Sequence, residues 1–312
     1  MPEDTRRTTL DVLVAEGRGG ILLFGITPPK ASTPPDDRRR IAGLTLERLA
    51  PVDVDGLILY DIDDESDRAG GDRPFPYLPT SDPADFYAEH LGAWTKPVVV
   101  YRSVGKYATD ELAGWLDALD PRRQLGVFVG PSTSTKQVRT SLADAHQLRR
   151  TRRPELTLGG VMITERHAAR GDEHRRMLGK QDAGCAFFVS QVVYDVDNTK
   201  SLVSDYVYAC RERRVAPRPV VFTLAVCGST TTLAFLQWLG VQVPRWLRNE
   251  LVHSDDPLAV SHAQCLAAAG ELAAFCRRLD VPYGFNVESV SIRRTEIEAA
   301  VDLAGRLRPL LT

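Results

Sequence analysis

The segment Gln181–Asp197 reads QDAGCAFFVSQVVYDVD, and its reading decides the fold. Ala183-Gly184 stops a helix, because glycine accepts the left-handed conformation that closes one. The run Cys185–Val189 is apolar and short, as a buried strand is. Ser190, Gln191, Tyr194 and Asp195 then follow together, where a parallel strand would leave the core. In α/β barrels that end carries the chemistry. Gln191 is therefore the first candidate for a ligand contact, with Tyr194 beside it.

Outward from this segment, similar runs recur along the chain. They are Ile21–Ile26, Gly56–Tyr60, Pro97–Ser103, Gln124–Val129, Leu158–Ile163, Ala186–Gln191, Val220–Leu224 and Tyr283–Val290. Several are apolar on both faces, as parallel strands covered on both sides must be. Helical stripes lie between them, such as Leu112, Trp115, Leu116 and Leu119. Eight strands alternating with helices in 312 residues predict a single (βα)8 TIM barrel over 1–312. The alternative is a doubly wound open sheet, which usually has fewer strands and often opens on a glycine-rich fingerprint that is absent here. Two interruptions stand out. Asp61–Pro83 is a long polar loop after the second run, of the kind that forms lids and binding loops. Leu233–Ala269 reads as a helical insertion before the last strand, with Pro244 fitting the first turn of a helix.

Composition narrows the function classes. Hydrophobic content of 43% and charged content of 26% are those of a globular protein. A net charge of −2 gives no reason to expect nucleic acid or a membrane surface as partner. The start of the chain is polar, without the apolar core of a signal peptide, and no apolar run approaches the ~18 residues of a membrane span. Cys185, Cys210, Cys227, Cys265 and Cys276 are scattered, which points to buried thiols in a reducing cytoplasm. Neither they nor the histidines show metal-ligand spacing, and no G-x-S-x-G elbow is present.

Candidate site residues follow the apolar runs. Tyr60 and Asp61 end the second and Arg102 lies at the end of the third, so a parallel barrel would bring them to one rim with Gln191. GITPPK at Gly25–Lys30 is either a rim segment or a stiff strand exit. GPSTSTK at Gly130–Lys136 is either an anion nest or a helix cap. Thr164-Glu165-Arg166-His167 after the fifth run could hold a ribose or phosphate, or form a rim salt bridge. Glu288, within FNVESVS, is a carboxylate among small and apolar residues. Desolvation there would raise its pKa and suit acid–base work, unless an arginine such as Arg102 pairs with it. The strand alternation leaves open whether it points into the barrel or outward.

Taken together, these pieces resemble methylenetetrahydrofolate reductases. DAGCAFFVSQVVYD is similar to that family's Asp-Ala-Gly-Ala-x-Phe-Phe-x-Thr-Gln-x-x-Phe-Asp. VQVPRWLRNEL is similar to its Val-x-Ile-Pro-x-Trp-Ile-x-x-x-Leu, GITPPK matches its Pro-Pro-Lys, and ITERHAA falls where it has Tyr-Pro-Glu-x-His-Pro. The resemblance implies a TIM barrel that reduces methylenetetrahydrofolate with NADH or NADPH and holds FAD. It implies that Gln191 faces the pterin, that His167 and Lys180 contact the flavin nucleotide, and that Glu173 stands near an acidic flavin contact. The departures are specific. The family's proton-donating glutamate before Pro-Pro-Lys is Gly25 here, and its Arg-Gly-Asp after the fourth strand is Val129-Gly130-Pro131. The first loss removes an acid worth about 10²–10⁴-fold in rate, a role open to Asp61 or Glu288. The second implies FAD held weakly or not at all. Three functions are compatible with this pattern: a reductase acting on a folate-bound one-carbon unit, a folate-dependent methyl or methylene transferase, and a non-catalytic folate- or nucleotide-binding relative. Whether the chain forms a homo-oligomer is left open.

Overall fold

The computed structural model describes residues 8–63, 73–75, 77–131 and 138–311. All eight apolar runs become strands: β1 (Ile21–Ile26), β2 (Gly56–Leu59), β3 (Val98–Ser103), β4 (Gln124–Val129), β5 (Leu158–Met162), β6 (Cys185–Val192), β7 (Val220–Ala225) and β8 (Tyr283–Glu288). Each pairs in parallel with the next, and β8 returns to β1, so the sheet closes into a TIM barrel and the open-sheet alternative falls. Boundaries move by only a residue or two. Pro97, for example, has no N–H to give the ladder, and β3 begins one residue later.

The helices are α1 (Leu10–Ala15), α2 (Pro35–Leu49), α3 (Pro83–His90), α4 (Thr109–Ala118), α5 (Leu142–Arg152), α6 (Thr164–Arg170), α7 (Glu173–Asp182), α8 (Val196–Arg213), α9 (Thr230–Trp238), α10 (Arg245–His253), α11 (Pro257–Leu279) and α12 (Arg294–Leu307). Their starts carry the expected chemistry. Side chains of Asp82, Ser141, Asp195, Ser229 and Asp256 accept from free backbone N–H groups in the first turns of α3, α5, α8, α9 and α11. The predicted insertion is α9 and α10, whereas α11 belongs to the regular outer layer, packing on α8, α12 and β8. Contrary to expectation, α11 is long and apolar enough to cross a membrane by length and composition. Here it buries Cys265, Ala269, Leu272, Ala273 and Cys276 within the barrel's helical layer.

The barrel axis is filled by Ile21, Leu23, Ile58, Val99, Leu125, Val127, Phe187, Val189 and Val221. A Cβ at Gly159 would lie 2.5 Å from the Phe187 ring, so only glycine lets that ring reach the axis. At the N-terminal end, α1 plugs the barrel with Leu10, Leu13 and Val14. The C-terminal mouth is left as the end where polar side chains gather. The five cysteines are free and buried.

Candidate functional site

At the mouth, β1, β7 and β8 are in register, with Gly25 beside Glu288 and Glu288 beside Ala225. Glu288 points inward. A Cβ built on Gly25 would lie 3.2 Å from that of Glu288, and 2.8 and 3.0 Å from the ring and hydroxyl of Tyr60. The missing side chain of Gly25 thus makes room for both. Burial pushes the Glu288 carboxyl up to about 7, against the opposing effect of hydrogen bonds from Tyr60 and Asn286. It has no cationic partner among the described residues. The Tyr60 hydroxyl accepts from Asn286 Nδ2 at 2.9 Å, and its ring meets Tyr101 edge-on with centroids 5.0 Å apart. Burial and the Glu288 charge raise Tyr60 well above its ordinary range, so it is a neutral donor.

Asn286, one strand-pair below Glu288, is fully buried. Its Nδ2 also lies 3.3 Å from the Thr223 hydroxyl, while its Oδ1 has no hydrogen-bond partner. A buried unpaired acceptor costs roughly 1–3 kcal/mol, which makes it a candidate to receive a ligand N–H. Sequence reasoning missed Asn286 as a site residue. The available signal was an amide two residues before Glu288, on the same strand face, in an otherwise apolar run.

Asp61 differs from its expectation as an unpartnered acid. Its carboxylate accepts from Ser103 N at 2.7 Å and Tyr107 Oη at 3.0 Å, and pairs with Lys106 Nζ at 2.5 Å. Arg102 does not reach the rim or Glu288. It faces the helical layer, pairs with Asp82, donates to Tyr107 Oη at 3.0 Å and stacks over the Tyr107 and Trp115 rings. Strand alternation explains the correction: Val99 and Tyr101 point into the barrel, so Arg102 points out. Burial alone would raise Asp82, but the Arg102 charge and hydrogen bond hold it below its usual value.

Tyr194 is also corrected. It is buried in a second core with Val192, Ala225, Leu233 and Leu247, and its hydroxyl donates to Ala225 O at 2.7 Å. It locks the insertion onto the strand ends. Gln191 remains half-exposed and donates to Leu239 O at 3.3 Å, at the end of α9. Glu165 accepts from Gln242 N at 3.3 Å, and its other oxygen is buried without a partner; burial raises its pKa. Both residues therefore meet the link between α9 and α10.

The roof is built from the long loop after β2. Arg73 lies over the rings of Tyr77, Phe235 and Trp238 at 5.0–5.5 Å, and Phe75 meets Phe235 edge-on. These contacts dock the described part of the loop on α9, which follows β7. Residues 64–72 of that loop, and 132–136 of the hydroxyl-rich stretch, lie outside the described residues.

The residues assigned to a flavin by resemblance are paired with other side chains and backbone groups of the protein. His167 Nε2 faces Asp205 on α8 at 3.2 Å. Lys180 donates to Val161 O and lies 3.8 Å from Glu173. Glu173 is fully buried, accepts from Ile163 N at 3.2 Å and pairs with Arg166 at 2.8 Å. Its carboxylate thus lies between Arg166 and Lys180. A cavity of about 180 Å³ lies beside Gly130 and Pro131, with Ser103, Lys106 and Arg139 in its lining.

No family model and no curated protein matches the chain. A solved structure does, that of an uncharacterized protein from Clostridium thermocellum described as binding two copies of 5-methyl-5,6,7,8-tetrahydrofolic acid. The two share 36% identity and superpose with a TM-score of 0.87, over 97% of this chain and 99% of the other. With that identity spread over essentially the whole barrel, the chain belongs to the same family as this Clostridium thermocellum protein.

Proposed function

We propose that the chain binds a reduced folate at the C-terminal mouth and reduces its one-carbon unit, taking hydride directly from NADH or NADPH. The observation that carries this reading is Glu288, a desolvated carboxyl with a pKa of about 7 beside the bare backbone of Gly25. The folate-binding relative supports the ligand class. The resemblance to methylenetetrahydrofolate reductases supports the reaction, and the self-satisfied Glu173 cluster supports a route without a flavin dinucleotide.

In the proposed reaction Glu288 protonates N10 of 5,10-methylenetetrahydrofolate. The N10–methylene bond breaks, leaving an iminium at N5. Hydride from the reduced nicotinamide then adds to the methylene carbon, giving 5-methyltetrahydrofolate and the oxidised nicotinamide. The proton that Glu288 donates is recovered from solvent, and a group with a pKa near working pH suits that cycle. Tyr60 holds the carboxyl in place, and Asn286 Oδ1 receives an N–H of the pterin. Gln191, on β6 and two strands from Glu288, contacts the pterin from the neighbouring arc of the mouth.

The test is to follow NADH oxidation with 5,10-methylenetetrahydrofolate, without added flavin, and to identify the folate product by mass. Turnover to the 5-methyl form is expected. No turnover in a protein that still binds 5-methyltetrahydrofolate by calorimetry would sink the reductase reading and keep the ligand. Absence of folate binding would sink both. Methyl transfer has one observation in its favour, since the relative binds the 5-methyl form. It predicts consumption of 5-methyltetrahydrofolate with an added acceptor and no nicotinamide oxidation.

A further inference from the structure

His167, His174 and Asp205 lie on α6, α7 and α8 of the outer layer. α6 ends at Gly171, whose φ of +66° turns the chain sharply into α7. This corner presents the two imidazoles side by side, with ring centroids 5.5 Å apart and planes at 82°. Asp205, on α8, faces both: its Oδ2 is 3.2 Å from His167 Nε2 and 4.0 Å from His174 Nδ1. One ligand atom from each residue falls within 4.8 Å of the others. Both imidazole side chains are largely shielded, at 7% and 13% exposure, while Asp205 is open to solvent at 53%.

The hydrogen-bond pattern is incomplete in a way that points to a ligand. His174 Nδ1, the atom turned toward Asp205, is buried without a partner. Asp172, two residues before His174, also has a buried Oδ1 without a partner and adds negative potential to the corner. Two imidazoles and one carboxylate around a common gap are the donor set of a borderline-soft divalent cation. With bonds of about 2.1 Å, tetrahedral ligands stand roughly 3.4 Å apart. The atoms here need to close by about an ångström, which side-chain rotation supplies.

We infer that this corner binds a first-row divalent cation such as Zn²⁺ or Co²⁺, with His167, His174 and Asp205 as ligands and solvent completing the shell. The ion would tie α6 and α7 to α8 and so fix the helix that carries Glu165. Linear spacing of the histidines gave no sign of it, because the third ligand comes from another helix.

The probe is Co²⁺ added to the chelator-stripped full-length protein. One equivalent should bind, with visible absorption bands of a four- or five-coordinate site that Zn²⁺ abolishes, and Zn²⁺ should raise the Tm. His174→Ala and Asp205→Ala should each weaken Co²⁺ at least about 10-fold and abolish the Tm rise, with circular dichroism reporting that they fold. Unchanged Co²⁺ affinity in both variants would overturn the assignment, as would no binding by the folded wild type at ~1 mM Co²⁺. His262→Ala, at the separate His262–Asp302 pair, should leave Co²⁺ binding as it is.

Discussion

Glu288 and Asp61 lie at the C-terminal ends of β8 and β2, the two strands that flank β1; Asp61 is buried and Glu288 half-buried. They are nevertheless different objects. Asp61 has Lys106, a backbone N–H and a tyrosine hydroxyl around it. Glu288 has a tyrosine and an amide and no described cation. A carboxylate held by a cation serves as a structural tie. One held only by neutral donors in an apolar mouth gives up its charge near pH 7 and can pass a proton. The number of shielding contacts matters less than whether one of them is charged.

The sharpest way to break this contrast is to neutralise both acids in turn. Glu288→Gln keeps the size and removes the proton, so kcat/KM for methylenetetrahydrofolate should fall at least ~100-fold, with 5-methyltetrahydrofolate affinity changed little. Asp61→Asn should lose far less rate than this. Steady-state assays beside calorimetry on the two variants decide, and a reversed order would hand the acid role to β2.

Lys106→Met probes the tie itself. It leaves the Asp61 carboxylate buried without its cation. Breaking a buried pair costs about 3–5 kcal/mol, which the 30% exposure of the Lys106 side chain reduces to roughly 1–3 kcal/mol. Urea unfolding should show that loss. An unchanged midpoint would mean that Asp61 needs no cation, and the comparison with Glu288 would collapse.

The pH dependence sharpens the other half. The folded-state pKa of Glu288 is raised from 4.5 to about 7, so folding favours its protonated form. Its contribution to stability is complete below about 4.5, where the unfolded chain also holds the proton, and is lost as pH rises through about 7. Relative to Glu288→Gln, the wild type should lose roughly 2–4 kcal/mol between pH 4.5 and 8. The wild-type rate should fall above pH 7 as the acid form disappears. A flat difference between the two stability curves would show that the mouth is wetter than its packing implies.

The smallest effect concerns the roof on the Glu288 side. A single cation–π contact is worth about 0.5–1 kcal/mol, so Arg73→Ala should raise the folate association rate roughly two- to fivefold. Stopped-flow fluorescence would measure it. A slower association would mean that Arg73 recruits the ligand and does not hold the loop over the entrance.

The architecture was legible because it rests on patterns local to the chain: apolar runs, helix caps and turn residues at a regular spacing. All eight strands are recovered from those alone, and the insertion in part, since its predicted span ran on into α11. The site was legible only in part. Glu288, Gln191 and Tyr60 could be picked out as polar residues at the ends of apolar runs. Arg102 and Tyr194 looked the same, yet alternation and a chain reversal turn them away from the mouth. Ser103, Lys106 and Tyr107 surround Asp61 and come from segments up to 46 residues away. Such partners leave no periodic trace, and neither does the meeting of Asp205 with two histidines on other helices.

The bare backbone at Gly25 also sets the order in which mutations can be accepted at this mouth. Any side chain there overlaps Tyr60 and crowds Glu288 at once. Moving the Tyr60 ring gives up its bond to Asn286 and its contact with Tyr101. Placing an acid back on β1 in a single step is therefore opposed by steric overlap, while shrinking Tyr60 first would open the way. The two substitutions are epistatic: the tolerance of β1 for a side chain at Gly25 depends on the residue at Tyr60.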